Sequence, residues 1–77
     1  MIAPENEDGN IEYKRYIIPE SEERFQQLLT QLKWRVDEGN GIAYYLIGVE
    51  DDGQIFQLSS KQIKISMSNL RKLAVQA

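Results

Sequence analysis

"GIAYYLIGVEDDGQIFQLSS", residues 41–60, decides how this chain is read. Asp52-Gly53 is a turn signal, because both central residues of a type I′ turn need positive φ. Pairing outward from it sets Asp51 against Gln54, Val49 against Phe56 and Ile47 against Leu58. Alternate residues of a strand point the same way, so Ala43, Tyr45, Ile47, Val49, Phe56 and Leu58 share one face. Ile42, Tyr44, Leu46, Gly48 and Ile55 point the other way, beside Glu50 and Gln57. The first set is the expected core. The second leaves an apolar face with nothing to cover it.

Working outward, "IEYKRYII" at residues 11–18 is rich in β-branched and aromatic residues and reads as a strand, stopped by Pro19. Ser21 is placed to cap a helix over about Glu22 to Glu38, with Glu22 and Glu23 where the helix dipole favours negative charge. Phe25, Leu28, Leu29, Leu32 and Val36 form its apolar stripe. Gly39 suits a left-handed residue after the last turn. Ser59 or Ser60 caps a second helix, with Ile63, Met67, Leu70 and Ala74 as the expected buried stripe and Leu73 flanking it. The first ten residues, "MIAPENEDGN", are polar and acidic and read as a flexible leader. Residues 11–77 then form a single domain.

The order is β-α-β-β-α. The expected fold class is α+β, an incomplete ferredoxin-like split βαβ with both helices on one face of a small antiparallel sheet. The final strand of that pattern is missing after "KLAVQA".

The chain has 77 residues and a net charge of −3, and it contains no Cys and no His, so disulfides and thiolate or imidazole metal sites are excluded. No apolar run approaches the roughly 18 residues of a membrane span, and the leader lacks the features of a signal peptide; a cytoplasmic location is the default expectation. Neither a G-x-x-x-x-G-K-[ST] loop nor a G-x-G-x-x-G loop occurs. Without His or Cys, a nucleophile would have to be Ser, Thr or a carboxylate, and no catalysis is expected within these residues. Glu50-Asp51-Asp52 is explained by its turn, since consecutive strand residues point to opposite faces. No catalytic, cofactor-binding or metal-binding residue is assigned.

Charge is unevenly distributed. Glu5, Glu7, Asp8, Glu12, Glu20, Glu22 and Glu23 crowd residues 1–23, against Lys14 and Arg15. Lys61, Lys64, Arg71 and Lys72 stand in residues 54–77 without any acid, a candidate basic face. Trp34 falls on the polar flank of the first helix with Glu23, Gln27, Thr30 and Gln31. It is either an interface anchor or a ring covered locally by the leader or by Arg35 through a cation–π contact. If Ile11, Tyr13 and Ile17 face the helices, Tyr16 and Ile18 join Ile42, Tyr44, Leu46 and Ile55 outside. The candidate interaction surface is therefore Trp34, Tyr16, Ile42, Tyr44, Leu46 and Ile55. Another domain of the same chain, a second copy, or single-stranded RNA stacking on the tyrosines would each fit it.

"GNIEYKRYIIP" and "RFQQLLTQLKWRVDEGNGIAYYLIGVEDDGQ" resemble the N-terminal region of the GTP-binding protein one/two group of translational GTPases, relatives of elongation factor Tu. The most specific pieces are "EDGNIEYK", "TQLKWR" and "GVEDDG". The resemblance implies a non-catalytic accessory or docking domain preceding a G domain that would lie beyond residue 77. It implies GTP and magnesium in that G domain and no cofactor in these residues. The partners it implies are the other domains of the GTPase, with the ribosome or RNA as further contacts, and no membrane; a homodimer is the less favoured arrangement. "YYLIGVEDDGQI" also resembles the hairpin of the Schlafen AlbA-type nucleic-acid domain, over about a dozen residues, which would make the domain a small nucleic-acid binder.

Overall fold

Ser21 holds an extended backbone and its Oγ accepts from the Arg24 amide, so the first helix has its start fixed by a side chain. In the computed structural model, which describes residues 2–77, this helix, α1, runs over Glu22–Glu38 as expected. It is preceded by strand β1 (Ile11–Lys14) and followed by strand β2 (Tyr44–Ile47) and helix α2 (Ser60–Gln76). Gly39 ends α1 without a left-handed backbone, its φ being −99°; positive φ falls instead on Asn40 and Gly41. Glycine is needed at 39 because a Cβ there would run into the Ile42 carbonyl and the Asn10 side chain.

The class is α+β, but the sheet is not antiparallel. β1 and β2 are hydrogen-bonded neighbours running parallel, in the register Ile11↔Tyr44, Glu12↔Tyr45, Tyr13↔Leu46 and Lys14↔Ile47. The third strand of the expected pattern shrinks to an isolated antiparallel bridge, Val49↔Ile55. Two local features account for this. Gly48 turns left-handed (φ +85°), and the amides of Gly48 and Val49 both donate to the Lys14 carbonyl, so the end of β2 hooks onto β1. The loop is also one residue longer than a two-residue turn. Gly53 N donates to Glu50 O, Glu50 N donates to Gln54 O, and only Gly53 (φ +91°) is left-handed. That is a three-residue loop with a glycine bulge, and it moves Val49 from opposite Phe56 to opposite Ile55.

Both helices cover the inner face of β2. Leu28, Leu29 and Leu32 of α1 and Leu73 of α2 enclose Ile17, with Ala43, Tyr45, Ile47, Phe25, Val36 and Leu70 packed around them. Alternation along residues 42–47 is as expected: Tyr44 is 57% exposed and Ile42 56%, while Tyr45 and Ile47 turn inward.

Strand one faces the opposite way from expectation. Pairing with Tyr45 and Ile47 turns Glu12 and Lys14 toward α1, and leaves Ile11 and Tyr13 on the outer face. An acid can occupy that inner position because Arg35 reaches it from α1. The chain then bends at Arg15, which resets the alternation and lets Ile17 enter the core.

α2 is rotated about its own axis relative to expectation. Its Ser59 cap forms a full capping box with Gln62. Its buried residues, however, are Ser66 and Leu73, while Ile63 and Met67 stay exposed. The reason is polar. Ile17 lies beyond the paired part of β1, so its backbone needs partners. Ser66 Oγ accepts from Ile17 N at 3.1 Å and Asn69 Nδ2 donates to Ile17 O at 2.9 Å, which selects the Ser66–Asn69–Leu73 side of the helix.

Candidate docking surface

A parallel pair of strands is normally covered on both faces. Here the inner face is covered by the helices, and the outer face only at Tyr13, by the leader. In the parallel register Ile11 stands beside Tyr44 and Tyr13 beside Leu46 on the outer face. Tyr13 is buried because the leader crosses it, its hydroxyl donating to the Ala3 carbonyl at 2.7 Å. Ile11, Tyr44 and Leu46 remain exposed, with Ile42 just before β2. Ile55 is 70% exposed, but the shifted hairpin register pairs it with the buried Val49, so it does not belong to the β2 strip. The outer face thus keeps a continuous apolar strip along β2 with no covering element among the described residues.

The other residues of the expected surface are not all part of this strip. Tyr16 is half-buried. Trp34 is 43% exposed but belongs to α1, which packs on the inner face, and the Arg35 guanidinium lies 4.9 Å from its ring centroid. The cations of α2 also divide. Lys61, Lys64 and Lys72 border a shallow cleft of about 380 Å³ with Ile65, Ser68 and Asn69, and Arg71 lies outside it. These cations sit on the helix layer and Tyr44 on the outer sheet face, so bases stacked on the tyrosine and phosphates held by the lysines would be on opposite sides of the domain. A larger open depression of about 670 Å³ beside the hairpin mixes Lys14, Arg15 and Arg24 with Glu50, Asp51 and Asp52. Arg15 is already engaged there, 3.4 Å from Glu50 and 4.0 Å from the centroid of Phe56.

A buried ionic cluster escaped the sequence reading. Arg35 is 2% exposed and Glu12 6%. Arg35 Nε donates to Glu12 Oε1 at 3.0 Å; Nη1 donates to the carbonyls of Asp8 and Gly9, and Nη2 to that of Asn6. Glu5 approaches Arg35 Nη2 at 4.0 Å and accepts from the Tyr13 amide. Lys14 lies 3.5 Å from Glu12 and donates to Gln31. The guanidinium therefore fastens residues 6–9, read from the sequence as part of a flexible leader, to α1 and β1.

Burial pushes the carboxyl of Glu12 up, but the hydrogen bond from Arg35, together with Glu5 and the charge of Lys14, outweighs it and holds Glu12 below its ordinary value. Glu5 is raised, first by burial and then by the neighbouring Glu12. Two carboxylates with divergent protonation can serve acid–base chemistry. Here Glu12 lies beneath the leader and Glu5 is part of it, Glu12 accepting from Arg35 and Glu5 from the Tyr13 amide, so the cluster works as a fastening. One sequence signal was available: Leu28, Leu32 and Arg35 follow i, i+4, i+7, which puts the arginine on the apolar stripe, and Glu12 stands between two apolar strand residues.

Among the described residues no group of three or more carboxylates, histidines or cysteines could hold a metal ion, and no helix is long and apolar enough to cross a membrane.

Comparison with known proteins bears out the kinship read from "EDGNIEYK", "TQLKWR" and "GVEDDG". The chain is 47% identical over 73 residues to GTP-binding protein 2 of Mus musculus and of Homo sapiens, covering 95% of this chain and 12% of each relative. It is 42% identical over 60 residues to an uncharacterized protein of Acanthamoeba polyphaga mimivirus, covering 77% of this chain and 32% of that one. GTP-binding protein 1 of Xenopus laevis is 32% identical over 69 residues, covering 90% of this chain and 11% of the relative. The chain thus spans about an eighth of the length of the GTP-binding relatives. No protein-family model matches. No solved structure matches.

Proposed function

We propose that this chain, related along nearly its whole length to a segment of the GTP-binding protein one/two group, is an N-terminal accessory domain of a translation-associated GTPase in the cytoplasm. In this reading it performs no chemistry and docks through the outer face of β2 onto other domains of that GTPase. The G domain, with its GTP and magnesium, lies elsewhere in the polypeptide. The observation that carries the docking role is the strip Ile42, Tyr44 and Leu46, with Ile11 beside Tyr44, left open on one side of a parallel strand pair. Burying such a strip against a second domain would remove apolar surface from water at about 25 cal/mol per Å². The buried ion cluster supports the non-catalytic part, because its carboxylates are closed off by the chain's own leader.

Two measurements test this reading. Calorimetric titration of the chain with GTP and magnesium should give no heat of binding, and micromolar affinity would overturn the non-catalytic assignment. Human GTP-binding protein 2 lacking its matching segment, supplied separately, should retain the chain. Y44A/L46A should weaken that retention by about tenfold, as expected for central apolar anchors. Equal retention of the variant would overturn the docking face.

A further inference from the structure

α2 carries two stripes; the domain uses one of them fully and the other only through part of Leu70. Ser66 and Leu73, with Asn69, meet the core through Ile17. Roughly 90° around the helix, at 100° per residue, stand Ile63, Met67, Leu70 and Ala74. Their spacing of four, three and four is that of a two-heptad seam, with Ile63 and Leu70 in one core position and Met67 and Ala74 in the other. Leu70 reaches the core with part of its side chain, but Ile63 is 45% exposed, Met67 40%, and Ala74 is exposed as well. A seam of this regularity on a helix already anchored by its other side is an interface without its second half.

The charges beside the seam say what fits. Lys64 and Arg71 are seven residues apart, so they occupy the same flanking position in successive heptads, next to Met67 and Ala74. No acid occurs anywhere in α2, and neither Lys64 nor Arg71 makes a salt bridge among the described residues. Flanking charges of this kind choose the partner of a paired helix. A second copy packed antiparallel would set Lys64 and Arg71 against themselves. In a parallel copy the opposite flank would be Ser66 and Leu73, which the core already occupies.

We propose that the Ile63–Met67–Leu70–Ala74 seam of α2 docks an acidic amphipathic helix of a partner protein, whose carboxylates pair with Lys64 and Arg71. This surface lies on the helix layer, apart from the β2 strip, and it does not depend on the GTPase reading.

The test uses the 77-residue chain and two fluorescein-labelled synthetic helices of about three heptads, with leucine at both seam positions. One carries glutamate and the other lysine at every flanking position. Anisotropy should show the acidic helix binding at least about tenfold more tightly than its lysine twin, with affinity falling as salt is added. M67D should abolish binding. Met67 is exposed, so this variant should keep the circular dichroism and urea midpoint of the parent. K64E/R71E should reverse the preference toward the lysine helix. Equal binding of the two helices, or an unreversed preference in K64E/R71E, overturns the proposal. So does a dimer that M67D dissociates, or single-stranded oligouridine binding through Lys64 and Arg71 while the acidic helix does not bind.

Discussion

Arg35→Met tests whether one buried guanidinium holds the amino-terminal segment to the domain. The substitution keeps most of the side-chain volume and removes the charge. Left behind are Glu12, 6% exposed, and the three backbone carbonyls of Asn6, Asp8 and Gly9. Stranding one member of a buried ion pair costs about 3–5 kcal/mol. At about 0.05–0.15 kcal/mol per residue, a domain of this size has a total stability of roughly 4–12 kcal/mol, so the loss removes a large share of it. Unfolding in urea should be followed by far-ultraviolet circular dichroism, because Trp34 lies against Arg35 and its fluorescence would change for local reasons. If the variant is already partly unfolded in water, an excluded osmolyte such as trimethylamine oxide extends the baseline. The companion variant R35M/E12L replaces the pair with apolar groups and should recover to within about 2 kcal/mol of the parent. A loss below about 1 kcal/mol in R35M, or a double variant no more stable than R35M, would refute the view that the penalty is a buried carboxylate left with Lys14 alone as its partner.

Ser66→Ala leaves the Ile17 amide without its acceptor in the core and should cost about 1–3 kcal/mol in urea unfolding, whereas Ser68→Ala on the exposed side of the same helix should cost almost nothing. Tyr45 is held to about 12, above its usual 10, by burial first and then by the charge of Glu12. The folded form keeps that proton where the unfolded form has lost it, so this contribution is complete below pH 10 and disappears as pH rises toward 12. Tyr45→Phe should therefore flatten the alkaline fall in thermal midpoint; an identical pH profile would contradict it. Glu12 acts in the opposite direction: its lowered value gives stability that is lost as pH falls through and below 4.5, while the raised Glu5 partly offsets that loss. Glu12→Gln should remove the acid-side decline. Tyr44→Ala and Trp34→Ala should each change the stability of the isolated chain by less than about 1 kcal/mol, and a loss of several kcal/mol from either would place its ring in the core.

Much of this fold was legible because its signals are local. Ser21, the leucine stripe and the Asn40-Gly41 break set α1 at Glu22–Glu38, and alternation set Tyr44 outside and Tyr45 inside. What was misread depends on partners distant in sequence. The facing of Glu12 is decided by Arg35, 23 residues away. The rotation of α2 is decided by the backbone of Ile17, whose need for hydrogen bonds no periodicity reveals. Asp52-Gly53 announces a turn, but only Gly53 becomes left-handed, and the hook of Gly48 and Val49 onto Lys14 is made with a residue far away in sequence. The exposed strip was legible from alternation, while the ion cluster required noticing an arginine in phase with leucines.

The clasp of Ile17 by Ser66 and Asn69 joins points 49 and 52 residues apart. Closing so long a span carries an entropic penalty that nearby contacts do not help to offset. Folding of this domain should therefore be limited in rate by the arrival of its last helix. Any nascent or trimmed chain ending before Ser66 would leave Ile17 with unmatched polar groups, vulnerable to proteases in a way the finished domain is not.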